Sequence, residues 1–166
     1  MVNNTTARPS DDEIWAALDD VKDPEVPVVS VVEMGIIQGF EWDGAGRLVV
    51  RMTPTFTGCP AVELMRQAIE ERLAALGVEA TVEVVLHPPW TSDRISDSAR
   101  EKMKQIGLAP PARHGGMIEL DFVQVVRCPY CNSDDTTLEN PFGPTLCRAI
   151  YYCNACQQPF EKFKAL

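Results

Sequence analysis

Residues 128–156 read "CPYCNSDDTTLENPFGPTLCRAIYYCNAC", a segment framed by two C-x-x-C pairs, Cys128 with Cys131 and Cys153 with Cys156. In each tight turn both thiolates can face one metal, and the backbone N–H groups of the turn can bond the sulfurs. Two such turns supply the four sulfurs of a tetrahedral site, with Zn–S bonds of about 2.3 Å. The residues between the pairs suffice for a short hairpin, and "RAIYYC" has the composition of a strand. The tail therefore reads as a four-cysteine zinc ribbon with one structural Zn2+. Four thiolates also accept iron, as a rubredoxin-like centre or an iron–sulfur cluster. A segment this small has little core of its own, so the metal supplies much of its folding energy. Cys147, a fifth cysteine in the tail, reads as a small buried hydrophobe beside Leu146.

Upstream of the tail, the pattern is that of an α+β domain. In "SDDEIWAALDDVKDP", Ser10 stands three residues before Glu13, the spacing of a capping box. Ile14, Trp15, Ala17, Leu18 and Val21 follow at helical spacing, and Pro24 ends the helix. "DPEVPVVSVVEMG" is a proline-punctuated loop with unusual apolar content. "IIQGFEW" and "RLVVRMT" flank "DGAG" as a β-hairpin. A second helix is expected from Pro60 to Leu76, with Val62, Met65, Ile69, Leu73 and Leu76 inward and Gly77 at its cap. "EATVEVVLH" reads as a third strand ending at His87, and "SDSAREKMKQIG" as a third helix capped by Ser96 and stopped by Gly107.

The expected organisation is thus a disordered N-terminus (1–9), an α-β-β-α-β-α domain (10–108), a Pro/Gly linker (109–117) containing an exposed His114, and the ribbon (118–166). "MIELDFVQVV" reads as a strand leading into the ribbon.

Composition narrows the function. The chain is 45% hydrophobic and 23% charged, values of a globular protein. The opening "MVNNTTARPSDDE" lacks the apolar stretch of a secretory signal, and no segment approaches the ~20 apolar residues that span a bilayer. A cytoplasmic protein with reduced thiols is expected, and six cysteines there point to metal or thiol chemistry. The net charge of −9 opposes nucleic acid and anionic membrane as partners. Within the tail, Arg127, Arg148, Lys162 and Lys164 face Asp134, Asp135, Glu139 and Glu161.

One cysteine stands apart. Cys59, in "TFTGCP", precedes Pro60 at the start of the second helix. As the expected N-cap its sulfur would meet unpaired N–H groups and the positive end of the helix dipole, which favours the thiolate. A partly buried, inert capping cysteine is the alternative. No partner completes a C-x-x-C around Cys59, which disfavours thioredoxin-like exchange. A G-x-G-x-x-G loop and E-x-x-H pairs are also missing from the sequence.

"DPEVPVVSVVEMGII" followed by "MTPTFTGCPAVELM" resembles the small iron–sulfur-assembly domain of the SufT proteins and the eukaryotic cytosolic iron–sulfur targeting factors. That family carries D-P-E-x-P in its first loop and T-x-x-x-C-P before its second helix. Here these are Asp23, Pro24, Glu25 and Pro27, then Thr55, Cys59 and Pro60. With "HPPWTSDRIS", "GLAPP" and a ribbon ending "CNACQQPFEKFKAL", nearly the whole chain after residue 10 resembles the PaaD family (also called PaaJ) of phenylacetyl-CoA epoxidase systems.

The resemblance implies an accessory, non-catalytic role in phenylacetate breakdown, in maturation of iron or iron–sulfur centres. Cys59 would contact iron or a cluster transiently, assisted by Thr55, Asp23 and Glu25. Asp23 and Glu25 have an equal alternative role in closing their loop. The implied partners are the [2Fe–2S] flavin reductase or the diiron oxygenase, and a homodimer is left open. Competing expectations are a nucleic-acid-binding or protein-interaction ribbon, and a thiol-dependent enzyme using Cys59.

Overall fold

The computed structural model describes residues 8–115 and 125–166. Most of the expected disordered N-terminus and most of the expected strand in "MIELDFVQVV" lie outside the described residues.

The first helix, α1 (Asp11–Asp20), starts where its capping box dictates. Ser10 Oγ accepts the Glu13 N–H, and the Glu13 carboxylate accepts the Ser10 N–H at 2.8 Å. Such a cap stabilises a helix by about 1 kcal/mol. Ile14, Ala17 and Leu18 face the core. Trp15 does not; it is 38% exposed and tilts against Phe40 with ring centroids 5.3 Å apart. An aromatic next to the apolar stripe can lean over a strand edge without entering the core.

The hairpin forms as expected from β1 (Ile37–Trp42) and β2 (Leu48–Met52), paired antiparallel, and Asp43 binds the turn N–H groups of Ala45 and Arg47. The second helix, α2 (Ala61–Ala74), carries the chain over to β3 (Ala80–Val84), which pairs parallel to β2. Met65, Ile69 and Leu73 are buried as the spacing predicts. Leu76 is not, because the helix ends at Ala74 and the side chain lies in the exposed turn beyond it. A single 3₁₀ turn, Ser92–Arg94, precedes α3 (Asp97–Gln105), with Ser96 Oγ accepting the Ala99 N–H. Gly107 follows in the left-handed region at φ +78°, against the ring of Tyr130, where a Cβ would collide.

The apolar loop "DPEVPVVSVVEMG" is explained by burial. Val26, Val29, Val31 and Met34 are all in the main core, so an irregular segment contributes as much interior as a helix face.

The ribbon is a hairpin extended on one side. Strands β5 (Thr136–Asn140), β6 (Arg148–Cys153) and β7 (Gln158–Phe163) pair antiparallel in sequence order. The two-residue strand β4 (Leu108–Ala109) adds to β7 in parallel, giving the order β4-β7-β6-β5. Ala109, at the head of the expected linker, is thus a strand residue. His114 also departs from expectation. Its side chain is 3% exposed, and its backbone N–H donates to Asp93 at 2.9 Å, which draws this stretch onto the 3₁₀ turn. His87 lies exposed beyond the end of β3.

The ribbon and the α+β part share one core. Phe163, from β7, is fully buried with Ile14, Leu18 and Met52, and meets Trp90 edge-on at 6.1 Å. Trp90 Nε1 donates to the Met34 carbonyl at 2.9 Å. Buried Arg100 satisfies its guanidinium on the carbonyls of Ser92, Ile95 and Pro111, tying α3 to the segments on either side of it. A smaller core of Val126, Ala149, Tyr151 and Phe160 packs with Cys128 and Cys153, one cysteine from each C-x-x-C turn.

Because Phe163 belongs to the ribbon by sequence and to the main core by position, Phe163→Ala should cost ~3–5 kcal/mol in urea unfolding. Tryptophan fluorescence and metal release should report one shared transition. A cost below ~1 kcal/mol would contradict this packing.

Candidate functional site

The two C-x-x-C turns converge. Cys128, Cys131, Cys153 and Cys156 place their sulfurs within 4.8 Å of one another, with Cys128 to Cys156 at 3.7 Å and Cys131 to Cys153 at 3.5 Å. A tetrahedron of sulfurs around a metal at about 2.3 Å has edges of about 3.8 Å, so the spacing fits a bound ion. The turns are built alike. Asn132 and Gln157, the residue after each pair, both take left-handed φ near +60° and donate to the carbonyl of the first cysteine at 2.9 Å. Cys153 is held down to about 7 by the N–H groups of Cys156 and Ala155. Burial and the neighbouring sulfurs push Cys156 up to about 12, so the quartet cannot ionise fully without a cation. Four protein ligands make a closed, structural type of site.

The second site lies where the ribbon meets the α+β part. Glu25, Thr55, Cys59, Pro60, Thr145 and Cys147 line one cavity of about 290 Å³, with Phe56 and Leu146 exposed at its mouth. The structure thus brings Thr55 and Glu25, two of the three residues expected around the lone thiol, into one cavity with Cys59. Asp23 stands behind them. Its carboxylate accepts the N–H groups of Glu25 and Val26 at 2.8 and 2.9 Å, and its own N–H donates to the Val29 carbonyl. These bonds fold the loop that carries Glu25 to the cavity. Burial raises the pKa of Asp23 above the usual carboxylate range.

Cys59 departs from the sequence expectation in two ways. The N-cap of α2 is Pro60, in helical conformation, so Cys59 stands one residue further out. The Cys59 thiol is also raised, not lowered. Burial is the main cause, and the charges of Glu25 and Asp23 add to it, outweighing the favourable N–H groups of Ala61 and Val62. At neutral pH this is a protonated thiol, and only a cation arriving in the cavity favours the thiolate.

Two residues whose roles the sequence did not reveal belong to this junction, Cys147 in the cavity wall and Arg148 beside it. Cys147 is buried as expected, yet its sulfur has polar partners, Thr145 Oγ1 at 3.1 Å and Glu25 Oε2 at 3.4 Å. Burial and the Glu25 charge push it up to about 11. Arg148 reaches from β6 to the backbone carbonyl of Glu25 and pairs with Glu161 at 2.6 Å. The available signal was arithmetic: a ribbon needs four cysteines, and this tail has five.

Removing the Glu25 charge should ease ionisation of Cys59. Alkylation of the Cys59 peptide against pH should show a midpoint above the ordinary thiol value of about 8.5, shifted downward in Glu25→Gln. A wild-type midpoint below that value, or no shift in the variant, would contradict the electrostatics.

Comparisons with known proteins match both parts. Residues 11–84 match the family described as iron–sulfur cluster assembly protein, and residues 118–164 match the PaaD zinc beta ribbon domain. A protein of Escherichia coli strain K12, provisionally named as the D component of 1,2-phenylacetyl-CoA epoxidase, is 41% identical over 98% of this chain and 97% of its own length. The Fe–S protein maturation auxiliary factor YitW of Bacillus subtilis is 33% identical over 54% of this chain and 88% of its own. A crystal structure of a DUF59 domain from Bacillus anthracis aligns at a TM-score of 0.49 and 31% identity, covering 53% of this chain and 85% of that one. No helix among the described residues is long and apolar enough to cross a membrane. With near full-length identity to one member and both of its parts matched in order, the chain belongs to the PaaD family of phenylacetyl-CoA epoxidase components, an iron–sulfur-assembly domain carrying a PaaD-type zinc ribbon.

Proposed function

We propose that this protein is an accessory maturation factor of a multicomponent phenylacetyl-CoA epoxidase, handling iron or an iron–sulfur cluster as cargo for a partner component. Its partner is the component that carries such a centre, the [2Fe–2S] flavin reductase or the diiron oxygenase. The observation that carries the proposal is the convergence of Cys59, Glu25 and Thr55 on one open cavity within the part that matches the iron–sulfur assembly family.

The chemistry suits transfer. A raised thiol does not hold a cation by standing charge; it ionises as the metal binds and takes back a proton as the metal leaves. The same property argues against a nucleophilic enzyme, which needs thiolate at neutral pH. Glu25 offers an oxygen donor, and Thr55 adds a hydroxyl to the cavity wall. Asp23 acts through the loop it folds.

The four-sulfur cluster has a separate task. Cys128, Cys131, Cys153 and Cys156 would hold one Zn2+, which supplies charge neutralisation and folding energy to the ribbon.

Cys59→Ser should leave fold and zinc content unchanged but lower the iron and acid-labile sulfide of the co-expressed reductase or the iron of the oxygenase. Full occupancy of both partners would refute a maturation role. Cys128→Ser should release the zinc and expose the tail to proteolysis. Retention of one zinc per chain with unchanged protease resistance would contradict the structural assignment.

A further inference from the structure

We propose that Cys147 is the second thiol ligand of a divalent-metal site shared with Cys59, with Glu25 as the oxygen donor between them. The inference deepens the proposed function and rests on Cys59 being a metal contact.

The three groups come from three distant segments. Glu25 lies in the first loop, Cys59 just before α2, and Cys147 in the turn before β6, yet all three line one cavity. Glu25 and Cys147 already touch there, and Cys59 must close on them as the cation binds, since among the described residues the four ribbon sulfurs alone stand at ligand spacing. Cys147 lies outside the sulfur cluster of the ribbon, which is already complete with four ligands. The fifth sulfur of the tail is therefore surplus to that site.

Cys147 packs at the edge of the main core, but its sulfur also has polar company. A cysteine kept only as a small hydrophobe meets apolar neighbours alone, whereas this thiol also donates to Glu25 Oε2 and meets Thr145 Oγ1. Its backbone is fixed from several directions. The Lys164 N–H bonds the Cys147 carbonyl at 2.8 Å, and the Arg148 N–H bonds the Thr145 carbonyl at 3.1 Å. Gly143 closes the same turn, where a Cβ would stand 2.9 Å from that of Arg148. Arg148, the next residue, grips the Glu25 backbone carbonyl, which ties the loop of Glu25 to the turn of Cys147. Precise support of this kind is what a ligand set needs and a filler does not.

Two thiols and a carboxylate select borderline, thiophilic cations such as Fe(II), Co(II) and Zn(II) over Mg(II) or Ca(II). Three protein ligands would leave at least one position of a bound cation free, in a cavity that also carries the exposed Phe56 and Leu146. An open position is what permits handover to a partner ligand. Binding exchanges the two S–H protons for the cation; both protons go to solvent, and no electron moves.

The test uses the full chain, anaerobic and loaded with one zinc per chain in the four-sulfur site, with Co(II) added as the probe. Wild type should bind cobalt beyond the zinc and develop a thiolate-to-cobalt charge-transfer band. The band per bound cobalt should fall by about half in Cys59→Ser and in Cys147→Ser alike, since each removes one of two soft ligands. Both variants should keep one zinc per chain. Independently of any variant, cobalt should protect both Cys59 and Cys147 of the wild type from alkylation. A band and protection that depend on Cys59 alone would overturn the role of Cys147 while leaving Cys59 as a metal contact. No cobalt binding beyond the zinc would overturn the shared site and remove its foundation in Cys59 as well.

Discussion

The guanidinium of Arg148 joins the two halves of this molecule at the point where its chemistry is concentrated. From the first residue of β6 it reaches the backbone carbonyl of Glu25 and, on its other arm, the carboxylate of Glu161 on β7. Hydrogen bonds to a charged group contribute roughly 1.5–3 kcal/mol each, more than neutral ones. The contact matters less for its energy than for its address. Glu25 sits in an irregular loop anchored by buried valines and by Asp23, with Arg148 holding its backbone carbonyl and the Cys147 thiol meeting its carboxylate. The ribbon supplies that fixation, and in doing so becomes one wall of the cavity that holds Cys59.

The molecule thus carries two sulfur sites of opposite character. The four-sulfur cluster is closed, with its sulfurs at tetrahedral spacing and both turns held by a residue in the same left-handed conformation. The cavity is open, its thiols are raised by burial and by a neighbouring carboxylate, and its mouth is apolar. The first environment keeps a metal; the second favours binding only while a cation compensates the charge. Packing Phe163 of β7 into the core beside Trp90 couples the two, because the ribbon that the metal folds also completes the main interior.

What was legible in the sequence was local. The capping box at Ser10, the hairpin around "DGAG" and the paired C-x-x-C turns each depend on residues within a few positions, and each formed as spacing dictates. The D-P-E-x-P and T-x-x-x-C-P motifs pointed to the cavity because they name residues that line it or fold its loop. What could not be read depends on distant packing. The ionisation of Cys59 was inferred from its helix, but burial and the charge of Glu25, 34 positions away in the chain, reverse the direction. Leu76 and Trp15 have core-like identities but lie past a helix end and beside a strand edge. His114 looked exposed in a proline-rich stretch until Asp93 gathered its backbone. Cys147 reads as filler because Glu25, which its thiol meets, comes from the other half of the chain.

If the ribbon is truly part of the thiol site, the two sulfur sites must answer to one another, and the most direct measurement is the alkylation rate of Cys59 with and without the ribbon's metal. Stripping zinc with a chelator should detach the wall formed by Thr145, Leu146 and Cys147. Cys59 should then alkylate markedly faster, and with a lower apparent pKa, as its burial is lost. A Cys59 rate and pKa unchanged by removal of the metal would show that the ribbon merely rides on the domain, and would contradict the account.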